Sequence, residues 1–163
     1  KVPVDPVSVL NETLGHFKQG FAEKQITIDN NLKNHPAVSI LGDADRLRQL
    51  FSNLLENTLR YADAPGTLKV GQERTGSRLI LFFEDSGPGV PEEALGRLFD
   101  RLYRADRSRS RTHGGSGLGL SICKSIVAAL AAIPERLERP MRSRPACSID
   151  GCRATASRSI PSA

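Results

Sequence analysis

Two glycine clusters and a pair of asparagines carry the residues that could do chemistry. Glu84-Asp85-Ser86-Gly87-Pro88-Gly89 closes an apolar run, and Gly114-Gly115-Ser116-Gly117-Leu118-Gly119-Leu120-Ser121 opens a helical pattern, with an arginine-rich span between them. Glycines let the backbone pass close to a ligand and adopt positive φ. A Gly-rich turn feeding a helix offers N–H groups and a positive dipole end to phosphate. Upstream, Asn53 and Asn57 stand four apart in Asn53-Leu-Leu-Glu-Asn57-Thr-Leu-Arg60-Tyr61, so a helix presents both on one side. The amide oxygen of Asn57 suits a hard cation that keeps waters and phosphate oxygens in its shell. Asp85, at the end of Leu79-Ile80-Leu81-Phe82-Phe83, offers a hydrogen-bond acceptor at a strand end. Taken singly, each has a plainer reading: a turn-forming Asp before Gly, ordinary polar groups on a helix surface, and a solvated loop for Arg107, Arg109 and Arg111.

The glycine spacing excludes two common phosphate cradles. No Lys-Ser/Thr follows at P-loop spacing, and the third glycine position of a dinucleotide fingerprint holds Glu92 after Gly87-x-Gly89 and Ile122 after Gly117-x-Gly119.

These residues need elements to hold them. Asp5-Pro6 is a helix start, with Asp as cap and Pro at the first helical position. Val7, Leu10, Leu14, Phe17 and Phe21 then form one apolar stripe. Ile26 and Ile28 alternate with polar neighbours as a short strand, and Val38, Ile40 and Leu41 read as a second strand after the Asn34-His35-Pro36 turn. Asp43 caps a helix with apolar positions Leu47, Leu50, Phe51, Leu54, Leu55 and Leu59, leaving Asn53, Asn57 and Arg60 toward other faces. Ala64-Pro65-Gly66 breaks it. Leu68 and Val70 alternate in a strand, and Leu79 to Phe83, apolar on both faces, predicts a central, covered strand that delivers Asp85 at its end. Val90-Pro91-Glu92-Glu93 starts a short helix that carries Leu95, Leu98 and Phe99 inward.

Composition bounds the answer. The chain has 163 residues, 39% of them hydrophobic, enough for one domain with a sizeable core and with no membrane-length apolar run. The first residues, Lys1-Val2-Pro3-Val4-Asp5, lack the apolar core of a signal peptide, and the chain reads as an interior cut of a longer one. Cys123, Cys147 and Cys152 are an odd number without metal spacing, which predicts reduced thiols rather than a disulfide framework. The net charge of +5 lies in the span between the glycine clusters and in the last residues, and 5% aromatics without Trp leave little for bases to stack on, so no nucleic-acid partner is expected.

Together, the segments from about Asp5 to Ala132 resemble the catalytic, ATP-binding domain of bacterial sensor histidine kinases, in the superfamily shared with gyrase B, Hsp90 and MutL. Asn53 to Asn57 matches the N box, Asp85-Ser-Gly87-Pro-Gly89 the first glycine box, Leu98-Phe99-Asp100-Arg101-Leu102-Tyr103-Arg104 the F box, and Gly115-Ser-Gly117-Leu118-Gly119-Leu120 the second glycine box. The wording of the N box and the span that follows looks most similar to BaeS-type sensors. The resemblance implies an α/β two-layer sandwich, with a mixed sheet of about four or five strands under three helices and ATP held between helices and lid. It implies Asp85 on adenine, Asn57 on Mg²⁺, Asn53 and Arg60 toward phosphates, Tyr61 toward adenine, and Arg104 steadying the γ-phosphate in transfer. The glycines of both boxes, with Leu118 and Leu120, would line the nucleotide.

The superfamily's ATPases use a Glu at the first N-box position to activate water, where this chain has Asn53, an amide that takes no proton near neutral pH. Glu56 is not assigned that role. The implied reaction is therefore γ-phosphoryl donation to a histidine in a dimerisation domain of the same kinase, a homodimer through that domain, with a cognate response regulator downstream. A stand-alone ATPase and a non-catalytic nucleotide-binding module remain the rivals. His16, His35 and His113 lack the acidic and proline context of the phospho-acceptor, which places the acceptor outside this chain. The implied location is cytoplasmic, without direct membrane contact by this segment and with the parent anchored in the inner membrane.

The resemblance stops after Ala132, where the family continues with a turn and two strands. Ile133 to Ala163 holds six Arg, five Ser, four Pro and four Ala with no apolar period. Such a tail reads as a frame-shifted translation of a GC-rich gene or as a disordered extension.

Overall fold

The two aspartates start their helices as their positions predict. A computed structural model describes residues 1–32, 39–75, 78–103 and 117–131. In order these form β1 (Val2–Val4), α1 (Pro6–Glu23), β2 (Ile26–Asn31), β3 (Ile40–Gly42), α2 (Ala44–Tyr61), β4 (Gly66–Thr75), β5 (Arg78–Asp85), α3 (Glu92–Leu95) and α4 (Gly119–Ala131). Asp5 accepts from Val7 N at 2.9 Å, and Asp43 from Asp45 N at 2.9 Å and Arg46 N at 3.3 Å. Each cap satisfies first-turn donors that the helix itself leaves unpaired.

The sheet is mixed and lies under the helices. Its order is β2-β4-β5, with β2 parallel to β4 and β4 antiparallel to β5. Ile28 is level with Leu68 and Leu68 with Asp85; one step on, Asn30 is level with Val70 and Val70 with Phe83. Because strand side chains alternate between faces, Ile28, Leu68, Val70, Phe83 and Asp85 all belong to one face. There Leu68 and Val70 are fully buried in a core shared with Leu10, Leu14 and Phe21 of α1, Leu47, Phe51 and Leu55 of α2, and Cys123 and Ile126 of α4. The three long helices pack in the order α1, α2, α4. The opposite face carries Lys69, which sits 3.8 Å from Glu84 and 5.8 Å from the centre of the Phe82 ring. The tip of the Phe82 ring lies against Gly71, where a β-carbon would strike it.

Three features differ from the sequence reading. Val2–Val4 forms a strand that the sequence did not signal, pairing antiparallel with β3 so that Pro3 faces Leu41. Those two strands make a separate sheet, so Ile40 and Leu41 do not join the main one, and Leu41 is exposed. The third is β5, which was expected to be central and covered. Among the described residues it has a neighbour on one side only, and none of its side chains from Leu79 to Asp85 is fully buried. Its outward apolar residues are accommodated locally, Phe82 by Gly71 and Lys69, while Ile80 stays exposed. Val38, His35, His113 and the tail from Ile133 with Cys147 and Cys152 lie outside the described residues; His16 is exposed on α1, and Cys123 is buried on α4 with its Sγ 3.7 Å from the Leu50 carbonyl oxygen.

Candidate functional site

α2 brings the candidate residues to one side of the helix layer. Its apolar stripe faces the sheet; Asn53, half-buried, adjoins the start of α4, Thr58 meets the end of β5, and Asn57 is half-buried one turn after Asn53. The amide nitrogen of Asn53 is buried and has no hydrogen-bond partner among the described residues. A β-carbon on Gly119, the first residue of α4, would lie 3.7 Å from the Asn53 amide oxygen, so the helix start and this amide adjoin. A buried donor without an acceptor carries a desolvation cost that an anionic oxygen would relieve. The arrangement therefore fits a phosphate oxygen at the α4 N-terminus.

The other end of the site forms where β5 stops. Asp85 lies on the helix-facing row of the sheet and is exposed at the end of the strand. One carboxylate oxygen accepts from Gly87 N at 2.9 Å, and the other lies 3.4 Å from the donating hydroxyl of Thr58 on α2. This turn carries Gly87 against the end of α2: a β-carbon there would come within 2.8 Å of the Asp85 carboxylate and 3.1 Å of the Tyr61 carbonyl oxygen. A side chain at this position would press on both groups. Gly89 has φ of 73°. Arg60 is half-buried and Tyr61 38% exposed in the last turn of α2, beside this loop.

The F-box and second glycine-box segments meet directly. Leu102 N donates to Gly117 O at 3.0 Å, and Gly117, at φ of 70°, leaves only 3.0 Å between its would-be β-carbon and Leu102 backbone atoms. Arg97 lies over the Tyr103 ring at 4.5 Å and 3.6 Å from Asp100. Leu118 is partly exposed and Leu120 half-buried at the start of α4. Of the sequence-predicted residues, Asn53, Asn57, Arg60, Tyr61, Asp85, Gly87, Gly89, Gly117, Leu118, Gly119 and Leu120 are described; Arg104 and Gly115 lie outside the described residues, as do Arg107, Arg109 and Arg111.

Thr58 was missed. Its signal was present: it falls three residues after Leu55 and four after Leu54, a polar residue on the apolar stripe, and it is 4% exposed. A polar group at a buried stripe position needs a partner, here Asp85. Among the described residues no group of three or more His, Cys, Asp or Glu could hold a metal.

Comparison with known proteins shows the family and the fold. Residues 42–155 match the family described as histidine kinase-, DNA gyrase B- and HSP90-like ATPase, a span that runs past the composition change at Ala132. The signal transduction histidine-protein kinase BaeS of Escherichia coli is 44% identical over 129 residues, 79% of this chain and 27% of BaeS. The chain thus spans about a quarter of the length of the curated relatives it matches. Among solved structures, full-length ShkA in complex with AMPPNP superposes with a TM-score of 0.66 at 28% identity, covering 80% of this chain and 26% of that one. The histidine kinase ThkA in complex with the response regulator protein TrrA shares the fold, with a TM-score of 0.64 at 21% identity over 79% of this chain and 35% of ThkA.

Proposed function

The chain belongs to the histidine kinase-, DNA gyrase B- and HSP90-like ATPase family as a relative of sensor histidine kinase catalytic domains, and from that membership we propose that it binds ATP with Mg²⁺ and donates the γ-phosphoryl group to a histidine of a dimerisation domain in the same kinase. The observation that carries this reading is the orphaned Asn53 amide beside Gly119, at one end of a site whose other end is the Asp85 carboxylate. Asp85 accepts the adenine amine, with Thr58 and Gly87 N–H holding its carboxylate. Asn53 and the α4 N-terminus bind phosphate oxygens, Arg60 and Arg104 add positive charge, and Tyr61 borders the base. Asn57 holds Mg²⁺, which when bound neutralises phosphate charge.

Asn53 in place of a Glu leaves this position without a base for water, which favours transfer to a supplied nucleophile over hydrolysis. The test supplies a histidine-bearing dimerisation domain and labelled ATP. Label on the histidine supports the kinase; ATP turnover without that domain favours the ATPase, and nucleotide binding without transfer favours a non-catalytic module. ShkA with AMPPNP and ThkA with a response regulator support a nucleotide ligand and a regulator partner for this chain. No helix among the described residues is long and apolar enough to cross a membrane. We assign this segment to the cytoplasmic side of a membrane-anchored parent.

Asn57→Asp tests the metal role. It should move the half-saturating Mg²⁺ concentration by about tenfold, ~1.4 kcal/mol, while nucleotide affinity in chelator changes less. Equal effects in both conditions would count against metal ligation.

The catalytic unit in this reading is 1–132, with 133–163 a tail standing where the family's closing strands belong. Two observations motivate it: the loss of apolar period after Ala132, and β5 having a neighbour on one side only among the described residues. Replacing the tail with a glycine turn and strand pair should raise the melting midpoint by about 2–8 °C per kcal/mol gained. It should also tighten ATP binding. Equal midpoints and equal ligand-induced shifts would show that the tail is no defect.

A further inference from the structure

We propose that Lys24, outside every nucleotide-contacting segment, is a positioning residue for the adenine end of the site; this rests on the nucleotide-binding reading above. Lys24 follows α1, and its half-buried ammonium donates to the carbonyl oxygen of Leu59 and, at 3.3 Å, to that of Ala62. These carbonyls belong to the end of α2, where the helix has no N–H left to satisfy them and where its dipole favours a cation. The same junction is tied a second time: Gln25, at φ of 55°, presents its carbonyl to Gly66 N at 3.1 Å. Gly20 of α1 also lies against Leu59, with 3.5 Å to a would-be β-carbon.

What Lys24 holds is the seat of the first glycine loop. Ala62 N closes the last turn on Thr58 O at 2.8 Å. The Tyr61 carbonyl and the Ala62 α-carbon then lie 3.1 and 3.4 Å from the position a Gly87 β-carbon would take. Gly87 N in turn donates to Asp85 at 2.9 Å. The chain of contacts runs from Lys24 through the last turn of α2 to the loop that orients the adenine acceptor. Lys24 touches no nucleotide in this reading; it keeps the Thr58 and Gly87 donors at their stations on the Asp85 carboxylate.

The test compares Lys24→Met, Lys24→Arg and Val9→Ala in the full chain, the last a core truncation at the far end of α1. Fluorescent ATP analogue affinity, melting midpoint and amide exchange at Ala62 are measured for each. Lys24→Met should weaken nucleotide binding about three- to tenfold and speed exchange at Ala62. Lys24→Arg, which keeps a cationic donor, should restore both. Val9→Ala should lower the midpoint with affinity unchanged. If Lys24→Met loses no more affinity than Val9→Ala, or if Arg fails to rescue, Lys24 is a stability residue only and the inference is overturned. A wild-type chain with no affinity for the analogue would overturn the nucleotide reading itself, and a Lys24-dependent change in Ala62 exchange would still separate the two failures.

Discussion

Asp85→Asn should weaken ATP binding by about 1–3 kcal/mol, roughly 5- to 150-fold, with little change in the melting midpoint. Asp85 ends β5 on the row it shares with Leu68 and Ile28, which aims it at the helix layer, where Thr58 and the Gly87 N–H meet its two oxygens. On the proposed reading, an adenine amine would meet a carboxylate whose oxygens are all acceptors. Asn keeps the shape but turns one oxygen into a donor, which sets donor against donor either at the ligand or at the loop. Stability should hardly move because the side chain is exposed. Nucleotide titration and a thermal melt on the same sample check both halves, and unchanged affinity would remove Asp85 from the adenine role.

The largest stability effect belongs to Phe51→Ala, expected to cost about 3–5 kcal/mol. Phe51 is 1% exposed on the sheet-facing side of α2, and its ring centre lies 6.3 Å from that of Phe83, two residues before Asp85. Removing it empties the contact between the helix that carries Asn53 and Asn57 and the strand that carries Asp85. Saturation with nucleotide at about 100 times its dissociation constant would return about 2.7 kcal/mol, so much of the lost midpoint should reappear with ligand. A variant that melts within about 1 kcal/mol of the parent would mean that this aromatic pair does not hold the two elements together.

Local signals in the sequence were legible because their physics is local. Asp5 with Pro6 and Asp43 cap helices through donors two or three residues away, and a stripe such as Leu47, Phe51 and Leu55 records the helical repeat itself. Glycine at 87, 89 and 117 is likewise a local demand, for close approach or positive φ. The four boxes could be assigned in order from their wording alone, and with them the family.

What the sequence by itself determined, then, is the family and the helices on which the candidate residues sit; strand order and the partners of Thr58 and Lys24 were decided by tertiary structure. An apolar run on both faces predicted a covered β5, yet its place in the described sheet is at the edge, because strand order is set by contacts between segments and not by any one run. Thr58 showed as a polar residue on an apolar stripe, but only the register of β5 on β4 brings Asp85 to it. Lys24 reaches Leu59 across 35 residues. No spacing rule spans that distance, since an ammonium finds the open carbonyls of a helix end only after both helices have packed on the same sheet.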